Sequence, residues 1–248
     1  MIFFFAKFLA KEAYVDDVMA GRLHVNRLAC FKDFEEEATC NRGDRHEGVV
    51  HWLQPDGIRL VLNGRDLTPD LAGPVEIGMS WLNHIHVFCL HAAHSGSLDL
   101  TDLTSGTIDG LREKLEIPSE CRQLGEHAII IRNVRQFIDR IETAAKLKDH
   151  RVHRGLVRYY NPDTFHGRFD GIEAAFRKRD EYRHQREYRF AIDTRTTGVD
   201  PLILNIGDIS DIAIPCKTAT INDPGSCDRR RGAGPGRVAA AGDGIVET

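Results

Sequence analysis

Three polar side chains alternate along the stretch YRHQREYRFAI, which turns from a charged run into an apolar strand. Side chains two residues apart in a β-strand share a face, so we expect Gln185, Glu187 and Arg189 to project together. A carboxylate between an amide and a guanidinium stays ionised and oriented, as is needed to stabilise a cationic transition state or hold a ribose hydroxyl. The alternative is an exposed strand face whose ion pair contributes less than about 1 kcal/mol.

A second charged group lies in the loop RGDRHEG, which has a glycine near each end. Asp44, His46 and Glu47 carry the oxygen and nitrogen atoms that bind a hard divalent cation, whereas Arg45 could bind a phosphate. A solvated loop with local ion pairs is the alternative. The charge density is unusual for a connection between two predicted strands.

Four histidines occur within eleven residues, at His84, His86, His91 and His94. A zinc site needs three or four convergent ligands, but Cys89 points to the opposite strand face from His84 and His86. No spacing here matches a zinc signature, so we expect no metal.

The run RKRDEYRHQREYR contains six basic residues and two tyrosines, a composition found at nucleic-acid surfaces. Acidic residues are interspersed, and the first half falls in a predicted helix. We therefore interpret this run as a solvated face.

The overall composition is that of a globular protein, with 42% hydrophobic and 28% charged residues among 248. A net charge of −4 gives no global attraction to nucleic acid or anionic membrane, so any polyanion site must be local. Six scattered cysteines without a CxxC pair, no clear signal peptide and no long apolar run favour a cytoplasmic protein with reduced thiols and no membrane contact.

Hydrophobic periodicity predicts more strands than helices, and the helices interrupt the strands irregularly. The predicted helices cover residues 10–21, 105–115, 134–147 and 169–182. In the first helix we expect Ala10, Tyr14 and Val18 to face the core, and in the last Ile172 and Phe176. The predicted strands include residues 2–8, 22–28, 49–53, 83–91, 126–131, 156–160, 186–192, 201–206 and 209–215, with a hairpin at the Asn-Gly pair 63–64.

This pattern indicates an α+β fold with a mostly antiparallel, twisted sheet, a few packed helices and a single core. We expect one domain over residues 1–221. Residues 222–248 are rich in Gly, Arg and Ala and lack periodicity, so we expect a flexible tail.

Three segments together resemble a widespread bacterial family of unknown function. They are FFFAKF with VDDVMAGRLHVNRLACFKD and GDRHEG, then FRKRDEYRHQREYRFAI, then LILNIGDISDIAIP. The family has a Tyr-Lys-Tyr-like first strand and a late Glu-x-Glu-Tyr-Arg strand. Here Gln185 replaces the first Glu, Phe31-Lys32-Asp33 replaces the usual Asn-Asp-Pro, and the usual central Trp is missing.

The layout also resembles that of the ADP-ribosyltransferase fold. The resemblance places Lys7 where that fold usually has Arg or His, and Asn26 where it has Ser, Thr or Tyr. Gln185 and Glu187 fit the late motif directly. It implies that Glu187 anchors the nicotinamide ribose of NAD and stabilises an oxocarbenium-like centre, and that the first strand lies next to the Glu187 strand.

The resemblance therefore implies an enzyme that transfers ADP-ribose from NAD or hydrolyses NAD, with a role in phage defence or toxicity. Glu187, Gln185 and Arg189 would form the catalytic group. Candidate cofactor-binding residues are Lys7, Asn26, Asp44, Arg45 and Glu47.

Two alternatives stay open at this point. One is a non-catalytic binding or regulatory module of bacterial or phage origin, in which Glu187 and Arg189 are structural. The other is a metal-dependent nuclease that uses Asp44, Glu47 and Glu187. The target, whether nucleotide, protein or nucleic acid, and the oligomeric state do not follow from the sequence.

Overall fold

The computed structural model describes residues 1–33, 43–101 and 104–223. The strands are β1 (Ile2–Leu9), β2 (Arg22–Arg27), β3 (Val49–Leu53), β4 (Val61–Leu62), β5 (Arg65–Asp66), β6 (Val75–Gly78), β7 (Ile85–His94), β8 (His127–Ile131), β9 (Arg151–Leu156), β10 (Arg158–Tyr160), β11 (Gly167–Arg168), β12 (Arg177–Arg179), β13 (Glu187–Asp193), β14 (Leu202–Asn205) and β15 (Ala213–Lys217). The α-helices are α1 (Glu12–Met19), α2 (Cys30–Asp33), α3 (Ser105–Leu115) and α4 (Val134–Lys146). The 3₁₀ segments are Pro55–Gly57, Thr68–Asp70, Ser80–His84, Ser119–Leu124, Gly171–Phe176, Asp180–Gln185 and Thr218–Thr220.

The principal sheet has eight strands and is antiparallel throughout, which confirms the predicted α+β class. Its order runs β14-β2-β7-β1-β8-β15, and β13 followed by β9 extends from the other edge of β7. Smaller sheets join β3 with β6 and β11, and β10 with β12.

The central strand β7 is paired differently along its two edges. On one edge it pairs with β13 along the whole of that strand. On the other edge, the pairing with β2 reaches no further along β7 than Asn26–Val87, and the pairing with β1 starts only at Ala6–His91. The middle of β7 therefore has no described strand beside it on this edge, and the sheet splits there.

The main hydrophobic core lies on the sheet face that α1 and α4 cover. The stripe predicted for α4 is confirmed, since Phe137, Ile138 and Ile141 are buried. Phe137 contacts the rings of Phe5, Phe88 and Phe190, which come from three different strands. A second cluster on the opposite face includes Trp52 and Tyr160.

Most predicted elements are confirmed, including α3 and the short hairpin in which Asn63 and Gly64 have positive φ angles. In α1 the predicted stripe is wrong in part, because Tyr14 is 45% exposed while Val15 and Val18 are buried. The edge strand β9 was not predicted, because its sequence RVHRGL lacks an apolar alternation strong enough to indicate a strand.

The helix predicted over residues 169–182 is wrong. The structure has two 3₁₀ segments, Gly171–Phe176 and Asp180–Gln185, and places the strand β12 between them. Gly171 adopts φ 50°, which is left-handed and interrupts an α-helix at its start. Ile172 and Phe176 do pack against the second cluster, so the apolar positions were identified correctly and the element was not.

Gly21 makes the tight connection between α1 and β2. Its φ is +79°, and a Cβ atom there would lie 1.9 Å from the carbonyl oxygen of Gly207. Only glycine fits this position, since both the backbone conformation and the close approach exclude a side chain.

The folded part extends slightly beyond the predicted boundary. The Asn222 side chain accepts from the Ile117 N–H and donates to the Ile117 carbonyl. The rest of the predicted tail, from residue 224, lies outside the described residues. Among the helices that the structure describes, none is long and apolar enough to cross a membrane.

Candidate functional site

A pocket of about 260 Å³ opens where β1 and β2 separate along the edge of β7. Its wall includes five predicted site residues, which come from β1, β2, β13 and the turn before β13. These are Lys7, Asn26, Gln185, Glu187 and Arg189. Cys89, His91 and Lys178 also line it. The split in the sheet thus brings together polar residues that are up to 182 positions apart in sequence (189 minus 7).

The Lys7 side chain lies at the split itself. Its Nζ donates to the Cys89 carbonyl at 2.9 Å and lies 4.4 Å from the centre of the Phe88 ring. The ammonium thus satisfies a carbonyl of β7 at a place where that edge has no paired strand. It also brings a positive charge to the pocket wall.

Arg189 is clamped between two carboxylates inside the protein. Its Nη1 and Nη2 donate to the two oxygens of Glu47 at 2.8 and 2.5 Å. Its Nε and Nη2 donate to the two oxygens of Glu187 at 2.5 and 3.2 Å. All three residues are buried, so this is a desolvated, charge-assisted network with bidentate geometry on both sides.

Lys178 supplies the second cation of this buried network. Its Nζ donates to Gln185 Oε1 at 2.8 Å and to Glu187 Oε2 at 3.3 Å, and lies 3.7 Å from Glu47 Oε1. Two cations and two carboxylates therefore balance, which allows four charges to stay buried together.

Sequence reasoning missed Lys178 because residues 169–182 read as a solvated helix. A strand interpretation would have placed Lys178 on the opposite face from Arg177 and Arg179. The sequence contains this alternation, but the strand is only three residues long and the pattern is therefore weak.

Gln185 reaches the pocket from a turn rather than from a strand. It ends the 3₁₀ segment, and Arg186 after it has φ 42° and lies in the left-handed region. The predicted shared strand face is therefore correct for Glu187 and Arg189 and wrong for Gln185. The alternative of an exposed strand face is also wrong, because all three side chains are buried.

The charges around Glu187 keep it ionised. Burial by itself would raise the pKa of Glu187, but Arg189 and Lys178 outweigh burial and hold that pKa well below its usual range. Burial and the neighbouring Glu187 raise the pKa of the Cys89 thiol to about 12, so the thiol keeps its proton. It donates a hydrogen bond to Glu187, which lowers the Glu187 pKa further.

His91 is a pocket residue that the sequence did not select as a site residue. It pairs across the sheet with Glu187, and its Nδ1 lies 2.9 Å from the carbonyl oxygen of Gln185. That contact requires a proton on Nδ1, which leaves Nε2 as an acceptor. Nε2 is buried without a hydrogen-bond partner among the described residues. Burial lowers the His91 pKa to about 4, so the ring is neutral at pH 7.

The loop residues predicted to bind a cofactor do not line this pocket. Asp44 accepts from Arg179 Nη2 at 2.9 Å and from the backbone N–H of His46. Arg45 is exposed, and its Nε donates to His46 Nε2 at 2.9 Å. Glu47 lies behind Arg189 and orients it. The loop therefore supports the pocket from outside.

The expectation that β1 lies next to the Glu187 strand is wrong. Strand β7 separates β1 from β13, because each pairs with a different edge of β7. Both strands still contribute to one pocket, because only β7 lies between them and the middle of β7 is not paired with β1 or β2.

Comparison with known proteins finds no family model, no curated protein and no solved structure that matches this chain. Within the described ranges, no group of three or more His, Cys, Asp or Glu residues is arranged to hold a metal ion. The pocket wall presents one ionised carboxylate, three cations, two amides, a thiol and two imidazoles, those of His24 and His91.

Proposed function

We propose that this protein is an ADP-ribosyltransferase-like enzyme that cleaves NAD, either to transfer ADP-ribose or to hydrolyse NAD. One observation carries the proposal. Glu187 is an ionised carboxylate in the wall of a pocket that also contains Lys7, Asn26 and Gln185. These are the residues that the resemblance assigns to the NAD site. A role in phage defence or toxicity remains a prediction from that resemblance.

Glu187 has the hydrogen-bonding capacity for a ribose hydroxyl. A carboxylate accepts about four hydrogen bonds, and here Arg189 and Lys178 provide three. The fourth comes from the Cys89 thiol, which is the weakest donor present. A ribose hydroxyl of the substrate can displace that thiol, and its hydrogen bond to the carboxylate would be stronger.

The size of the pocket suits part of a dinucleotide. At about 260 Å³ it is slightly smaller than the roughly 300–1,000 Å³ typical of sites for drug-sized ligands. We therefore place the nicotinamide ribose inside the pocket and the pyrophosphate towards its edge. Lys7 lines that pocket from the split in the sheet and is the candidate for a phosphate contact.

In the proposed reaction, the bond between ribose C1′ and the nicotinamide nitrogen breaks, and its electron pair leaves with neutral nicotinamide. The cation that develops at C1′ is stabilised by the fixed negative charge of Glu187 in a site with little water. Water or a hydroxyl of the target then bonds to C1′ and releases its proton to solvent. His91 Nε2, which has no hydrogen-bond partner within the described part of the chain, can accept a hydrogen bond from that nucleophile.

The test is NAD consumption by the purified protein beside Glu187→Gln, with and without EDTA. Loss of an electrostatic group at the reacting centre commonly lowers turnover by about 10²–10³-fold, which is the expected effect of Glu187→Gln. EDTA should have no effect. A wild-type protein that is folded and consumes no NAD contradicts the proposal.

Glu47→Gln is the matched control for this test. Glu47 is also a buried carboxylate bonded to Arg189, but it does not line the pocket. If Glu187 is catalytic, Glu47→Gln should retain far more turnover per folded molecule than Glu187→Gln. Equal losses in the two variants would mean that Glu187 acts only through the ion network.

One observation favours a second candidate, a non-catalytic binding module. Arg189 and Lys178 already engage both oxygens of Glu187, as expected of a structural ion network. On this alternative the pocket binds a small ligand without changing it, and Glu187→Gln alters stability alone. The nuclease alternative is not favoured, because Arg179 engages Asp44 and Arg189 engages Glu47.

A further inference from the structure

A second concave surface lies beside the segment that carries Gln185 and Glu187, and Glu187 lines both this surface and the pocket. It is an open groove of about 800 Å³, which we call the basic groove. Its cations come from α3, β10 and the turn before β13, and they are Lys114, Arg158, Arg183 and Arg186. These four positive charges are concentrated on a protein whose net charge is −4.

Two of these cations have no carboxylate partner among the described residues. No described carboxylate lies within ion-pair distance of Lys114. Among the described residues, the Arg186 guanidinium donates to two backbone carbonyls, those of Lys114 and Glu116. These carbonyls fix the guanidinium in place without neutralising it, so the site is prepared for an anion.

The other two cations form pairs at the rim. Arg158 lies 3.4 Å from Glu173, and Arg183 pairs with Asp180. Both arginines are largely exposed, and such pairs contribute little stability. An incoming phosphate can therefore compete for these guanidinium groups at small cost.

His94 also lines the basic groove, together with Lys114 and Arg186. Burial lowers the pKa of His94, and the neighbouring Arg186, the N-terminal ammonium and Lys114 lower it further. An anion that binds in the groove would oppose the effect of Arg186 and Lys114 on the pKa of His94.

The basic groove also presents surfaces on which a base could stack. The Leu156 side chain is 38% exposed at its edge. The Tyr159 ring forms part of the wall, and the Arg183 guanidinium lies 5.6 Å from the centre of that ring. Cations beside an aromatic ring are the combination that binds single strands, where phosphates contact the cations and unpaired bases stack on the ring. The exposed Leu156 adds an apolar contact for a base.

We propose that the basic groove binds single-stranded nucleic acid through its phosphates, with Lys114, Arg158, Arg183 and Arg186 as the phosphate contacts. A duplex is a poorer partner, because its bases are already stacked and cannot use Leu156 and Tyr159. This inference does not rest on the proposed NAD chemistry, since binding is measured without NAD.

The experiment measures fluorescence anisotropy of a labelled 12-nucleotide single strand with the full-length protein. Four phosphate contacts predict that affinity falls about 50-fold between 50 and 200 mM salt, and two contacts predict about sevenfold. The double variant Lys114→Gln/Arg183→Gln should therefore bind at least tenfold more weakly at 50 mM salt and depend less on salt.

The control is Arg59→Gln/Arg112→Gln, which removes the same total charge from exposed arginines outside the groove. It should bind within about twofold of the wild type. If the two double variants lose the same amount of affinity for the strand, binding reflects general charge attraction, and the proposal that the basic groove is the binding site is wrong.

Three further results would overturn the proposal. They are no binding at 50 mM salt, equal affinity for a duplex of the same sequence, and displacement of the strand by saturating NAD. The last would assign the phosphate contacts to a dinucleotide instead.

Discussion

At the scale of single residues, the central fact is that Glu187 is charged and buried. Burying four charges is costly, and here the cost is offset by two bidentate contacts of Arg189 and two ion pairs of Lys178. Such a network fixes the position of the carboxylate and keeps it ionised. Both properties are required of a group that stabilises a cation in a reaction.

Removal of the central cation should be strongly destabilising. Arg189→Gln leaves Glu47 and Glu187 buried beside each other with only Lys178 to compensate, and breaking a buried pair costs about 3–5 kcal/mol. Urea unfolding measures the change in free energy. Arg154→Gln is the control, since its pair with Glu142 is largely exposed and should contribute less than about 1 kcal/mol. Similar losses in both variants would contradict the buried network.

His91 gives a prediction for the pH dependence of stability. Its pKa is lowered to about 4 in the folded protein from an ordinary 6.5, so the unfolded chain binds more protons between these values. Stability should therefore fall as pH drops from 6.5 to 4, by on the order of 3 kcal/mol from this residue.

The check is urea unfolding at several pH values for the wild type and His91→Asn, which cannot titrate in this range. The variant should show a shallower loss of stability between pH 6.5 and 4. Parallel curves for the two proteins would show that His91 does not titrate on unfolding.

At the scale of elements, the strands that position the site depend on the helix behind them. Helix α4 covers the face opposite the pocket, and Phe137 contacts β1, β7 and β13, three of the strands that line the pocket. The aromatic contacts therefore hold in place the strands that bear Lys7, Cys89 and Glu187.

Truncation of this contact should destabilise the whole sheet. Phe137 is fully buried, so Phe137→Ala leaves a cavity and should cost about 3–5 kcal/mol of unfolding free energy. Leu147→Ala, one residue beyond the same helix and 84% exposed, should change it by less than about 0.5 kcal/mol. Thermal and urea unfolding of both variants test this, and a small effect at Phe137 would contradict the packing.

At the scale of the whole molecule, the fold creates two different surfaces beside one short segment. The pocket opens through the split between β1 and β2, whereas the basic groove is built by α3, β10 and the turn before β13. The net charge of the chain does not predict either surface, because the chain as a whole is acidic and its cations cluster locally at these two places.

The hydrogen bonds of the Asn222 side chain should stabilise the end of the described fold. A chain that ends after residue 223 keeps the two hydrogen bonds between Asn222 and Ile117, and its melting temperature should match that of the full chain. A chain that ends after residue 221 loses both bonds, each worth about 1 kcal/mol, and should melt several degrees lower. Identical melting of the two truncated chains would show that Asn222 contributes nothing.

The sequence by itself determined the α+β class and most elements, because alternation and helical periodicity are local consequences of which faces are buried. It also selected Gln185, Glu187, Arg189, Lys7 and Asn26, all of which line one pocket. Short-range patterns suffice for the elements and for Gln185, Glu187 and Arg189, whereas Lys7 and Asn26 were implied by the resemblance.

Only the tertiary structure decided which charges meet. Long-range pairing around β7 determines the burial of Glu187, its contact with Lys178 and the supporting position of Glu47. It also leaves His91 Nε2 buried with no partner among the residues that the structure describes. Local periodicity indicates β12 only weakly, because the strand has three residues inside a charged run and the carboxylates that stabilise Lys178 come from other elements. Those partners exist only once the sheet has assembled.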